Sequence, residues 1–306
     1  MSMIENAEPL VSIIVITYNS SKYVLETLES ARLQTYRNIE LIVSDDCSRD
    51  NTVEICRNWI EENKDRFVRT ELVIVEKNTG ISSNCNRGLY ASKGEWIKLI
   101  AGDDVLINTA IQDFVTFVNS DSSIYFVFGA CKFYLDNKIL PKIELPDIDF
   151  QKLSAEDQYK FLIREGNLMH GPTSFINRNK LIELSGFDES IPFSEDWPLW
   201  INATKNHNKL YFIEDTVALY RIHEDGIYSK TKIGLKYDSV LSKNVNLIRK
   251  KYLLPNLLKE KLIFDFFHQW IIYNKEIQSS AFSKFIFKSL LLISPVFYIN
   301  KLNKNK

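Results

Sequence analysis

Short apolar, β-branched runs that end in adjacent carboxylates are what most constrains this chain. Ile39 to Val43 leads into Ser44-Asp45-Asp46-Cys47-Ser48, and Trp96 to Ile100 leads into Ala101-Gly102-Asp103-Asp104. Runs of this length without polar alternation read as strands buried on both faces, as parallel sheets require. Parallel strands bring their carboxyl ends to one edge, and that edge is where open α/β sheets bind ligands. Two acid pairs there suit a hard cation and a polar ligand better than an apolar one.

The rest of the first hundred residues repeats the pattern. Val11 to Thr17 (VSIIVIT) and Leu72 to Val75 are further strands. Ser20 or Ser21 can cap a helix with an apolar face of Val24, Leu25, Leu28 and Leu33. Asp50-Asn51-Thr52 starts a helix over Val53 to Glu62, and Asn78-Thr79-Gly80 turns into another through Asn86, Gly88 and Leu89. The alternation predicts an α/β fold, a mostly parallel central sheet flanked by helices. After Asp104 the rhythm changes. The pattern predicts a helix over Ile111 to Asn119 and strands over Ile124 to Lys132 and Phe133 to Leu140. Pro141 to Asp157 reads as a mobile acidic loop. Strands follow at Phe175 to Asn177 and Leu210 to Tyr220, with a helix over Trp197 to Lys205. From about Gly226 the pattern is helical, so we expect one domain over 1–225 and a helical C-terminal extension over 226–306.

Composition narrows the class. A formal net charge of −1 gives no reason to expect nucleic acid as a partner. Cys47, Cys56, Cys85 and Cys131 lack C-x-x-C spacing, which fits a reducing compartment rather than a zinc site or disulfide framework. Met1 to Leu10 is polar and acidic, unlike a signal peptide, and no run is apolar enough for a membrane span. A cytoplasmic protein is expected.

Five segments carry candidate chemistry. Thr17-Tyr18-Asn19 closes the first strand, and Tyr18 there can stack on a nucleobase or pack over the strand edge. Asp46 can accept the imide N–H of uracil or thymine, although Asp45 and Asp46 equally suit turn formation and capping. In Asn78 to Gly88 a helix N-terminus offers amides of the kind that hold phosphate, but the segment lacks G-x-G-x-x-G and G-x-x-x-x-G-K-[ST] and also reads as an ordinary polar loop. Asp103 and Asp104 would repel each other if both were charged and unpaired; magnesium or manganese relieves that. Glu195-Asp196 opens a helix with Pro198 in its first turn; one acid is a candidate general base, and both also suit capping. Tyr220-Arg221-Ile222-His223 ends a strand in a histidine suited to a cation or phosphate.

In this order, these segments resemble the inverting family 2 glycosyltransferases. The matching text is VSIIVITYNSSKYVLETLESARLQTYRNIELIVSDDCSRDNT, NTGISSNCNRGLYASKGEWIKLIAGDD, SGFDESIPFSEDWPLW and YRIH, roughly Pro9 to His223. The resemblance implies the GT-A (nucleotide-diphospho-sugar transferase) fold and a nucleotide-sugar donor, a UDP-sugar foremost, bound with Mn2+ or Mg2+. By position, Thr17, Tyr18, Asp46, Asn78 and Asp103 would bind the donor. Asp103, Asp104 and His223 would hold the cation, and Asp196 would be the catalytic base. Ala101 stands where many members have Asp, and Cys85 where Arg is frequent. The implied acceptor is a glycan or lipid-linked glycan in bacterial surface polysaccharide synthesis. Competing classes are a nucleotidyltransferase, whose Gly-rich loop VITYNSS lacks, and a non-catalytic sugar-nucleotide-binding module, which needs no base.

Leu253 to Tyr273 reads as a helix packed on the domain. Phe282 to Lys306 interleaves lysines with aromatics and contains no acid. Such a segment can lie on an anionic membrane surface, here the inner face of the cytoplasmic membrane, or pack on another subunit.

Overall fold

The computed structural model describes residues 8–135, 138–144, 148–223, 226 and 239–277. The first half is the expected alternation. Strands β1 (Val11–Thr17), β2 (Ile39–Asp45), β3 (Arg69–Ile74) and β4 (Trp96–Ala101) pair in parallel in the order β3-β2-β1-β4. Helices α1 (Val24–Arg32), α2 (Thr52–Asn63) and α3 (Ile81–Ala91) connect them. The two sides of β1 explain its unbroken apolar sequence. Val11, Ile13 and Val15 enter one core with Leu28 and Trp59, while Ile14 enters a second core with Leu89 and Trp200.

The second half folds the sheet back on itself. It contains β5 (Val105–Leu106), α4 (Ala110–Val118), β6 (Phe126–Leu135), β7 (Lys138–Glu144), α5 (Ile148–Lys152) and α6 (Ala155–Arg164). It continues through β8 (Ser174–Asn177), α7 (Arg178–Glu183), α8 (Asp196–Lys205) and β9 (Leu210–Ile222). The sheet runs β3-β2-β1-β4-β8-β6-β9-β5, with β7 also on β6. Only three residues separate β4 from β5, yet β5 pairs antiparallel with β9, Val105 opposite Leu219. Gly102-Asp103-Asp104 is therefore the bridge between the two halves, and the pairing carries Arg221 back alongside it.

Three expectations need correction. Ile124 to Lys132 and Phe133 to Leu140 are not two strands: β6 runs through to Leu135, and β7 is the following strand. Pro141 to Asp157 is not a loop: β7 reaches Glu144 and α5 and α6 follow. Pro141 is tolerated because, among the described residues, β7 pairs with β6 alone, and α6 starts on an unread capping signal, with the Asp157 N–H donating to Ser154 Oγ at 3.1 Å. Helix α1 starts from the Ser20 carbonyl, which accepts from the N–H groups of Tyr23 and Val24 at 2.9 Å, not from a serine hydroxyl. Its Leu25 and Leu33 are exposed.

The described C-terminal helices are α9 (Ser239–Ile248), a π-helical turn (Arg249–Leu253), α10 (Leu254–Lys259) and α11 (Ile263–Ile277). Lys261, at φ +58°, divides what reads as one helix from sequence. Ile248, Leu253 and Leu257 are fully buried in the core that holds Trp200 and Leu162, and Arg164 pairs with Asp265. Residues 282–306 lie outside the described residues. Among the described residues no helix is long and apolar enough to cross a membrane.

Candidate active site

The carboxyl edge of β1 and β2 separates the roles of the first acid pair. Asp45 is internal: it accepts from Thr17 Oγ1 (2.8 Å), Ser48 N–H (2.8 Å) and Ser48 Oγ (2.5 Å). It thereby supports the turn in which Cys47 holds φ +67°. Thr17 is buried beside it, so its hydroxyl serves the turn, whereas Tyr18 projects from the edge about half exposed. Asp46 reaches the other way, to the start of α3. It accepts from the N–H groups of Thr79 (3.0 Å) and Gly80 (2.8 Å), from Thr79 Oγ1 (2.9 Å) and from Arg87 Nη2 (2.5 Å). Asn78 is exposed at the preceding turn.

Three amides at the turn into α3 are therefore already taken by the protein itself. Asp46 holds two, and the Ile81 N–H donates to the Pro192 carbonyl at 2.8 Å. Gly80 is required for this docking. Its φ is +94°, and a Cβ there would lie 2.8 Å from the Pro192 Cβ.

The second acid pair is braced by β9. Arg221 donates its backbone N–H to Asp104 Oδ1 (2.8 Å) and its Nε–H to the Asp103 carbonyl (2.6 Å). Its guanidinium lies between the rings of Tyr23 and Tyr134, 4.8 and 4.4 Å from their centroids, and pairs with Glu26. His223 Nε2 is 2.9 Å from Asp103 Oδ2, and its ring packs 4.7 Å from that of Tyr23. Asp104 is buried, and burial together with the Asp103 charge pushes its carboxyl well above the usual range. Among the described residues no three His, Cys, Asp or Glu side chains gather into a ready-made metal cluster. Two carboxylates and an imidazole at one edge still suit magnesium or manganese, which take few protein ligands and fill their shells with water and substrate phosphate oxygens.

The third group stands at the start of α8. Asp196 accepts from Asn167 Nδ2 (2.6 Å) and from the Trp197 N–H (2.7 Å). Burial raises its carboxyl above the usual value, against both hydrogen bonds. Nothing in the sequence points to Asn167. Residues 170–173 join this acid to the other half. Glu195 Oε1 would lie 3.7 Å from a Cβ on Gly171, and the Lys98 ammonium, fully buried on β4, donates to the carbonyls of Pro172 (2.5 Å), Ser174 (3.2 Å) and Leu99 (3.1 Å). The His170 ring lies 5.9 Å from that of Tyr220. The edge is continuous from Asp196 through residues 170–174 to β9 and Asp103.

Glu195 gives a stability prediction. Burial, and then the Asp196 charge, push its carboxyl up to about 8. Between the ordinary glutamate value and that one, the folded protein keeps a proton that the unfolded chain releases, so this group removes stability as pH rises from about 4 to about 8. Glu195→Gln should match the native chain near pH 4 and exceed it by about 1–3 kcal/mol at pH 8. Urea unfolding at both pH values checks this. An unchanged difference would mean that Glu195 is an ordinary surface acid.

A curled, mostly parallel sheet with two carboxylate sites on its carboxyl edge defines a nucleotide-diphospho-sugar-transferase architecture, the GT-A fold. The match to the model for "Glycosyl transferase family 2" over residues 12–184, more than half of the chain, is decisive: the chain belongs to glycosyl transferase family 2 and is a glycosyltransferase. An uncharacterised glycosyltransferase of Methanocaldococcus jannaschii is 25% identical over 272 residues, 88% of this chain and 89% of that one. Streptococcus pneumoniae glycosyltransferase GlyG is 27% identical, covering 74% of this chain and 75% of its own. For an uncharacterised Rickettsia typhi relative, 28% identical over 71% of this chain, the match spans 65% of its length, just under two thirds. Staphylococcus aureus TarS 1–349 in complex with UDP-GlcNAc superposes with TM-score 0.57 at 19% identity, over 87% of this chain and 80% of that one. Pyrobaculum calidifontis mannosyltransferase PcManGT, with GDP-Man and Mn2+, does so with TM-score 0.57 at 17% identity, over 97% and 87%. These two likenesses support the fold.

Proposed function

We propose that the chain transfers a sugar, with inversion, from a nucleotide-diphospho-sugar to a hydroxyl of a glycan or lipid-linked glycan, with a UDP-sugar as donor and with a divalent cation. What carries this reading is the braced pair Asp103-Asp104 with His223 at the carboxyl edge, together with the oriented carboxylate of Asp196 at the start of α8. The acceptor hydroxyl is a poor nucleophile at neutral pH. Asp196, fixed by Asn167 and the Trp197 N–H, takes its proton during attack on the anomeric carbon. One displacement from the opposite face inverts that carbon, and no sugar is attached to the protein. Asp103, Asp104 and His223 would hold Mn2+ or Mg2+, whose charge would offset that developing on the departing diphosphate. Tyr18 would stack on the base, with Thr17, Asp46 and Asn78 around it. The UDP-GlcNAc and the GDP-Man with Mn2+ held by the two structural relatives support this donor class and cation.

The test is thermal shift and hydrolysis with UDP-, GDP- and dTDP-sugars, each with and without manganese, on the native chain and Asp104→Ala. Manganese-dependent stabilisation by one nucleotide class is expected, with the response lost in the variant. Silence towards every sugar nucleotide would end this reading.

We also propose that residues 1–225 form the catalytic unit and 226–306 a helical extension, with the basic, aromatic sequence of 282–306 meeting an anionic membrane surface where surface polysaccharide precursors are built. The exposed Phe264 and Phe267 of α11 are consistent with such a surface. Flotation with phosphatidylglycerol liposomes should be lost on deleting 282–306; retained flotation would exclude that segment as the anchor.

A further inference from the structure

We propose that the C-terminal helices position the general base, with Lys251 and Tyr252 of the π-helical turn as positioning residues that act through Asp188. This rests on the reading of Asp196 as that base. Asp196 opens α8, and two segments converge on it. Residues 164–169 supply Asn167, its hydrogen-bond donor, and residues 186–192 form a strap that leads into it.

The strap is gripped from two sides. On one side stands α3. Asn86 accepts from the Phe187 N–H and donates to the Phe187 carbonyl, both at 2.9 Å, and Ser82 Oγ donates to the Ile191 carbonyl at 2.6 Å. On the other side Asp188 turns its carboxylate to the π-helical turn. Its Oδ2 accepts from Lys251 Nζ (2.6 Å) and the Tyr252 hydroxyl (2.5 Å), and its Oδ1 from the N–H (3.1 Å) and hydroxyl (2.8 Å) of Ser190. Four donors fill a carboxylate. Burial works to raise the Asp188 carboxyl, but the bonds from Lys251, Tyr252 and Ser190 hold it below the usual range.

The same helices reach the other segment and α8 itself. Asp265 of α11 pairs with Arg164 at 3.1 Å, and Lys205, at the end of α8, donates to Asn256 Oδ1 of α10 at 3.0 Å. Ile248, Leu253 and Leu257 share a core with Trp200 of α8. Apolar contacts alone hold surfaces together in several near-equivalent ways, whereas a fully satisfied buried polar joint specifies one arrangement. A general base needs that precision, because a misplacement of about 1 Å can cost about a hundredfold in rate. The acid lies within 1–225, but the elements that fix its place extend beyond that range.

The test uses the full chain and the double variant Lys251→Met/Tyr252→Phe, which leaves Asp188 its bonds from Ser190. Hydrogen exchange read by mass spectrometry should rise about fivefold or more in residues 193–199 and around Asn167, and stay native in β1 and β2. With UDP-GlcNAc and manganese as the probe, kcat for hydrolysis should fall about tenfold or more while the Kd for UDP stays near native. The same two changes should cost nothing further in Asp196→Asn, since a positioning effect needs the group it positions. Lys251→Met alone, at a side chain 50% exposed, decides the matter if the double variant does not fold. Exchange that rises only in 186–192 and 249–253, or a loss of kcat that persists in full in Asp196→Asn, would overturn the proposal and leave the joint a structural contact. A native chain that does not turn over UDP-GlcNAc in manganese would count against the donor reading instead, with the exchange result deciding the joint.

Discussion

Replacing Asp196 by asparagine is expected to lower kcat by about 10²- to 10⁴-fold, the usual contribution of a positioned general base, while donor affinity stays near native. The substitution keeps an oxygen for the Trp197 N–H but sets one amide against another at Asn167, which costs about 1 kcal/mol of stability. The pH profile separates catalysis from that structural cost. Burial raises the Asp196 carboxyl, so the acid limb of kcat/KM should fall above the ordinary aspartate range, with activity rising as the base ionises. That limb should vanish in Asp196→Asn. Asn167→Leu removes a donor that favours the ionised form, so its limb should move to higher pH, with the rate recovered in alkali. A native profile in Asn167→Leu would show that this hydrogen bond does not tune the base. A kcat within a few-fold of native in Asp196→Asn would move the base elsewhere, with Glu195 as the next candidate.

The parallel half was legible because its signals are local. An unbroken apolar run marks a strand covered on both faces, and a polar pair after it marks the sheet edge. The second half was less legible because β6 has a different neighbour along each part of one side, β8 and then β7, and no local pattern encodes that exchange. Within the site, the acids could be read but not their partners. Asn167, Arg87 and Lys98 act through residues distant in sequence, Asp196, Asp46 and Pro172, so spacing carries no trace of them. Lys98 even interrupts an apolar strand, which looks unfavourable until three carbonyls are seen to surround its ammonium. The amides at the start of α3 taught the opposite lesson. Their sequence reads as an anion site or as an ordinary polar loop, and two of them are held by the protein's own Asp46.

Arg221→Ala should damage stability and donor binding together, because one side chain serves both halves of the sheet. The backbone bond from residue 221 to Asp104 survives the substitution. The Nε–H bond to the Asp103 carbonyl does not, nor does the guanidinium layer between Tyr23 and Tyr134. The lost charged hydrogen bond is worth about 1.5–3 kcal/mol and the two cation–π contacts about 0.5–2 kcal/mol each. The pair with Glu26 adds little, since Glu26 is nearly half exposed and solvent replaces its partner. Allowing for relaxation, we expect a loss of about 2–4 kcal/mol in urea unfolding. Tyr23 also packs on His223, so freeing it loosens the imidazole beside Asp103. Affinity for UDP in manganese should therefore drop by about tenfold or more, the scale of one misplaced charged contact. Arg221→Lys restores the charge without the planar fork or the stacking, and should recover stability more than binding. If Arg221→Ala binds nucleotide as tightly as the native chain, the bridge between β4 and β5 is rigid without it, and the role of Arg221 is to hold β9 to the domain alone.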